Sequence, residues 1–407
     1  DVTELDHLPA VGGPIRAAGE SAGQKQVVVD VPGMGFAWVG AGSAGHTPPE
    51  EGKRKRRRLR RSKKLEDRPM AEENVLRNEY FEVTLDPITG AVRAVDDYVS
   101  RGARLAQQIA LRVPTPNRSR QDGWEEEDSE RDYSVMAADE ISVTSAGPVV
   151  GRLECRGRLV TRDGKLAARF VQTLEARRGS RILEWSIDLD LQREPGSNPW
   201  NSYYAARFAW DDAAADVYRG VSLFNRPTER LQMESPHFVD VRSGRKRITI
   251  LTGGLPYHRR IGLRKLDTLL IVQGETARSF RLGIGVDLTH PVPAALDFLA
   301  PRHVQAEEAS PAATPSGWLF HVDAKNLVAT HWEPLWAEDR AVGFRVRLLE
   351  TEGRRSEAHL RSFRPVSVAR KIDFQNEKPT ELPVEGDTVT IEVKAHEWAE
   401  VEAEFAG

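Results

Sequence analysis

The sequence predicts an all-β chain, a large antiparallel β-sandwich followed by a smaller C-terminal one. Three observations carry this expectation. Short apolar runs with period-two alternation recur from residue 78 to about residue 300, separated by turn-forming residues. Almost no stretch repeats its apolar residues every 3.6 positions, which disfavours the helical crossovers that a parallel sheet needs. After a proline-rich break marked by Pro301, Pro311 and Pro315, the alternation resumes.

Taken in order, residues 1 to 72 read as the end of a preceding β-domain plus a basic loop. Val27 to Val31 is strand-like, and Pro32-Gly33-Met34-Gly35 would turn it back into Phe36-Ala37-Trp38-Val39 as a hairpin. Lys53 to Lys64 holds ten basic residues in twelve. Its two readings are a nucleic-acid patch and a solvated loop, and the loop is preferred because no aromatic residue is interleaved to stack on bases.

Residues 73 to 300 form the large sandwich. It opens on the hairpin Asn78 to Asp97, in which Phe81, Val83 and Leu85 alternate with polar neighbours before Asp86-Pro87-Ile88-Thr89-Gly90 turns the chain. Further strands are expected at 152 to 160, 166 to 175, 202 to 210, 217 to 224, 246 to 252, 266 to 273 and 279 to 287. The clearest is the run Ile182 to Leu191. An acidic polar loop over 114 to 132, densest at 122 to 132, interrupts the pattern. Residues 301 to 407 comprise a linker and the smaller sandwich, with strands at 343 to 350, 388 to 394 and 398 to 405.

A chain of 407 residues, 40% apolar and 29% charged, with net charge −3, has the composition of an ordinary globular protein, and its charge selects no partner. No run approaches the ~18 to 20 apolar residues that cross a bilayer, so no membrane partner is expected. Cys155, the single cysteine, shares a strand side with Leu153 and reads as a small core hydrophobe. Its isolation favours a reducing compartment, hence a cytoplasmic expectation. The chain begins at Asp1 without Met and is read as a piece of a longer protein.

No Walker loop, G-x-G-x-x-G, G-x-S-x-G or H-E-x-x-H occurs. The adjacent acids Asp96-Asp97 and Asp211-Asp212 read as turn or surface residues, because neighbouring side chains diverge. The most site-like segment is Gly253 to Arg260, read as a glycine-flexed loop presenting Tyr257, His258, Arg259 and Arg260 together. Such groups hold sugar hydroxyls or carboxylates, and the alternative is an ordinary loop with salt-bridged arginines. His331-Trp332-Glu333-Pro334-Leu335-Trp336 is a second cluster, in which both tryptophans are expected to pack in a core or between domains.

Four segments carry a family resemblance: V-D-V-P-G-M-G-F-A-W-V (29–39), N-V-L-R-N-E-Y-F-E-V-T-L-D-P-I-T-G (74–90), H-R-R (258–260) and R-S-F-R-P-V-S-V-A-R-K-I-D-F (361–374). In that order they resemble the C-terminal β-half of glycoside hydrolase family 38, the α-mannosidases. The resemblance implies that the large sandwich is a galactose mutarotase-like supersandwich within a retaining α-mannosidase. It also implies that the zinc and the catalytic carboxylates belong to an N-terminal barrel outside this chain. This chain would then hold no cofactor and no catalytic residue. Its partners would be that barrel and an α-mannoside, with Arg260 or its neighbour Arg259 lining the cleft beside His258 and Tyr257. The alternatives are a free-standing carbohydrate-binding or mutarotase-like protein and, less favoured, a polyanion binder acting through residues 53 to 64.

Overall fold

The computed structural model describes residues 8–21, 23–40, 68–100, 102–113, 130–300, 303–307, 314–372 and 379–407. The basic run 53–64 and the acidic residues 122–129 lie outside the described residues.

Two nine-stranded sheets dominate. Sheet I runs in space from Phe224–Pro227 through Asp216–Val221, Phe238–Ser243, Lys246–Leu251, Ser279–Val286, Ile182–Leu191, Leu166–Arg177 and Val150–Val160 to Val135–Ala146. Sheet II runs from Gln232–Glu234 through Tyr257–Ile261, Lys265–Ile271, Tyr203–Ala209, Leu105–Arg112, Val92–Asp97, Phe81–Leu85 and Val75–Arg77 to Ala71–Glu72. Neighbouring strands are antiparallel, as expected for a chain whose connections are turns. Alternate residues of both sheets share one core: Phe81, Val83 and Leu85 from sheet II meet Leu153, Leu174 and Trp185 from sheet I. Each fully buried aliphatic or aromatic side chain contributes about 1.5–3 kcal/mol. Trp185 and Phe208 join the sheets edge to face, with ring centroids 6.0 Å apart.

The opening hairpin is the join between the sheets. Asp86 Oδ1 accepts the backbone N–H groups of Ile88 and Thr89 at 3.0 and 2.9 Å, an Asx-type turn. Gly90 takes a φ of 75°, and any Cβ there would collide with the Cys155 sulfur of sheet I. The Gly90 carbonyl accepts from Gln172, whose own carbonyl accepts the Trp185 indole N–H at 3.2 Å. At the other end, Asn78 donates to the carbonyls of Arg177 and Ser180 at 3.0 and 2.8 Å, pinning the hairpin to a turn of sheet I. Cys155 is buried, and that burial pushes its thiol up to about 11.

The C-terminal residues build a smaller sandwich from a five-stranded and a four-stranded sheet, whose facing residues include Val346, Leu348, Leu360, Ile391 and Val401. It meets the large one where Asn225 N–H donates to the Thr351 carbonyl at 3.1 Å and His290 lies 2.6 Å from Glu352.

Four expectations are corrected. Residues 27 to 39 form no hairpin: Gln24–Val29 pairs with Ile15–Ser21, while Gly35–Ala37 pairs with Ser316–Trp318 inside the expected linker. The close approach of the Gly317 carbonyl explains glycine at position 35. A helix, Pro291–Leu299, interrupts the β pattern; its Val292, Ala295 and Phe298 pack on Phe238 and Leu251, and two turns are too short to show a period in sequence. Trp332 stacks on Phe320 at 4.2 Å, but Trp336 is 63% exposed, because its strand Leu327–Ala337 presents much of its length to solvent. Finally, of the turn and surface roles expected for Asp97 it takes the turn, accepting the N–H groups of Val99 and Ser100 at 2.6 Å each, but it does so buried, with the Arg104 Nε donating to it at 2.6 Å.

Candidate functional site

The strand period decides what sheet II offers on the side away from the core. In Tyr203–Ala209, residues Tyr204, Ala206 and Phe208 enter the core, so Tyr203, Ala205 and Arg207 take the opposite face. Register aligns Arg207 with Asp267 and Asp267 with Arg259, a charged row across three strands. Two short segments cover that row: the 3₁₀ turn Glu130–Asp132 with Tyr133, and the stretch from Asn198 to Asn201.

Asp267 is 0% exposed and fully engaged. Its Oδ2 accepts from the Tyr133 and Tyr203 hydroxyls at 2.5 and 2.8 Å, and its Oδ1 from Arg207 Nε at 3.0 Å. Arg207 lies 3.4 Å over the Tyr133 ring, and its two remaining nitrogens donate to Glu130 at 3.2 and 3.1 Å. Lys265 also reaches Glu130, at 2.8 Å. Burial and the neighbouring Asp267 charge hold both tyrosine hydroxyls protonated, above their ordinary range. Burial alone would raise the Glu130 carboxyl, but the bonds and charges of Arg207 and Lys265 outweigh it and hold the group at about 2.

At the far end of the row, Arg112 donates to the Asn201 carbonyl at 2.6 Å and to Asp132 at 3.2 Å. Arg259 donates to the Trp200 carbonyl and to Asn201 Oδ1 at 3.2 Å, so this guanidinium is held by neutral oxygens. Beside it the 48% exposed Tyr257 meets Trp200 edge to face at 6.0 Å. An oriented cation next to an aromatic pair can hold a hydroxyl-rich or anionic ligand.

The segment expected as a loop over 253 to 260 is therefore partly a strand, Tyr257–Ile261, and alternation separates its side chains. Tyr257 and Arg259 share the covered polar face. His258 points the other way and is fully buried: its Nε2–H donates to the Ser235 carbonyl and its Nδ1 accepts from Thr268, both at 3.0 Å. Burial pushes its imidazole down to about 4. Arg260 is buried too and donates to the Leu263 carbonyl at 3.2 Å, with burial lowering its guanidinium pKa.

The Glu130, Arg207, Asp267, Tyr133 and Tyr203 network was missed in the sequence. A signal existed: Asp267 and Arg207 each interrupt an otherwise apolar strand run, and a charge there needs a buried partner. Among the described residues no three His, Cys, Asp or Glu side chains come together in a way that could hold a metal ion.

The fold is similar to two solved structures. One is an α-mannosidase from Enterococcus faecalis V583, with a TM-score of 0.61 at 12% identity, covering 83% of this chain and 43% of that one. The other is a glycosyl hydrolase family 38 protein from Enterococcus faecalis, with a TM-score of 0.61 at 12% identity, covering 83% of this chain and 44% of that one. The chain thus spans less than half the length of either protein. No family model matches the sequence, and no curated protein matches it.

Proposed function

We propose that this chain is the non-catalytic β-region of a retaining α-mannosidase, supporting a separate catalytic barrel and lining part of its substrate cleft. The observation that carries this reading is the similarity of the fold to an α-mannosidase over 83% of the chain. The four motif segments support it in the same order along the sequence. Hydrolysis then needs two carboxyl groups set about 5–5.5 Å apart across the sugar, supplied with zinc by the barrel. Of the arginine pair, Arg259 is the better fit to the cleft, since it shares a face with Tyr257 while Arg260 is buried on the opposite side.

Incubating residues 1–407 with zinc and an aryl α-mannoside tests the reading. No turnover is expected, whereas measurable zinc-dependent release of the aryl group would overturn it. The exposed Tyr257 beside Trp200 and Arg259 favours a second reading, a carbohydrate-binding module complete in itself. Calorimetric binding of mannose oligosaccharides that is lost in Arg259→Ala would favour the second reading over the first.

A further inference from the structure

The covered row on sheet II holds more cations than carboxylates. Arg207 and Lys265 are matched by Asp267 and Glu130, and Arg112 by Asp132. Arg259 is left over, since among the described residues its hydrogen bonds go only to neutral oxygens and no carboxylate pairs with it. Glu234, which register sets opposite Tyr257 on the same face, forms no ion pair with it.

Which edge of Arg259 stays open matters as much as its charge. A guanidinium carries its donors in one rigid plane, and its Nε and Nη2 edge grips a carboxylate or phosphate through two parallel bonds. Both bonds of Arg259, to the Trp200 carbonyl and to Asn201 Oδ1, start from Nη1. Nε and Nη2 donate to nothing among the described residues, and neither is shielded from solvent. One edge thus anchors the side chain and the other is presented already oriented, which lowers the entropy that a ligand must lose on binding. Because the anchoring oxygens are neutral they leave the charge uncancelled, and an anion bonds to such a fork more strongly than a hydroxyl does. Beside it Tyr257, half exposed and held edge to face against Trp200, offers a ring to the C–H face of a sugar.

We propose that this rim selects an anionic saccharide, one carrying a carboxylate or a phosphate monoester, with the anion on the Nε and Nη2 edge of Arg259 and a ring face against Tyr257. The proposal rests on the reading of this face as part of a saccharide cleft and adds the class of substrate. Arg259 acts here as a specificity-determining residue, with no part in bond cleavage.

Calorimetric titration of the full chain with methyl α-D-mannoside, D-mannuronate, D-mannose 6-phosphate and inorganic phosphate tests it. At least one anionic sugar should bind about tenfold more tightly than the neutral mannoside, the margin that one charge-assisted pair supplies, and added salt should shrink that margin. The two anionic sugars distinguish a carboxylate from a phosphate as the preferred group. Arg259→Gln should erase the margin, and Arg259→Lys, which keeps the charge without the planar fork, should retain only part of it. Because Arg259 also anchors the Trp200 segment, Tyr257→Ala at an exposed position is the second variant, expected to weaken the sugars while the melting temperature is retained. Equal affinity for neutral and anionic sugars would overturn the preference and leave the cleft reading standing, which the turnover assay tests separately. Inorganic phosphate binding as tightly as the phosphorylated sugar would leave an adventitious anion site only and overturn the proposal. So would the absence of heat from both anionic sugars, or a margin that survives Arg259→Gln.

Discussion

The large and small sandwiches both carry rows of alternating charge on the face away from their cores, yet the rows differ in kind. On sheet II, Arg207 and Asp267 are covered by the Glu130 to Tyr133 and Trp200 segments, and Asp267 has lost all contact with solvent. On the small sandwich, Arg345 bridges Glu333 and Glu402 at 2.8 and 2.7 Å, and Arg347 meets Glu400 at 2.9 Å, with the arginines about a third exposed. Both rows alternate arginine and carboxylate across three paired strands. What distinguishes them is a cover, which turns a weak solvated ladder into a network in which every member must be matched.

The sharpest way to break this contrast is Asp267→Ala. It leaves two buried tyrosine hydroxyls without their acceptor and Arg207 with Glu130 alone, and urea denaturation should show a loss near the lower end of about 3–5 kcal/mol. A loss under about 1 kcal/mol would place the covered row with ordinary surface pairs.

A smaller effect is expected in acid. The folded state holds the Glu130 carboxyl below its ordinary 4.5, at about 2, so its contribution to stability is complete above about pH 4.5 and fades as pH falls toward 2. Glu130→Gln should flatten that limb of the stability curve, and an unchanged limb would assign acid sensitivity elsewhere. The smallest effect belongs to the uncovered row: Glu402→Ala should cost about 0.2–1 kcal/mol by the same measurement and shrink further in high salt. A larger, salt-independent loss would erase the distinction between the rows.

Much of the architecture was legible because strand alternation is a local signal. The run Ile182–Leu191 and the run Trp398–Phe405 occupy the residues that their patterns indicate. The hairpin at 81 to 97 forms around Asp86 and Gly90, as its turn chemistry requires. What pairs with what was less legible. Val27 finds Ala18 and Phe36 finds Gly317, because a short strand takes whichever edge satisfies its backbone hydrogen bonds, and the sequence between two runs does not record a partner almost 300 residues away. The candidate site suffered from the same limit. Tyr257, His258, Arg259 and Arg260 look like one cluster when read as a loop, and as a strand they divide between two faces.

By itself, then, the sequence determined the all-β class, the apolar stripes of the strands and the turns that end them, since each depends on residues within a few positions of one another. Only the tertiary structure decided that Asp267, Arg207, Glu130 and Tyr133, drawn from three separate segments, form one network, and that Arg259 shares a face with Tyr257 while His258 is buried on the other. Those outcomes depend on register and on which segment lies over which face. Both are settled by burying the core as a whole, a requirement no local pattern encodes.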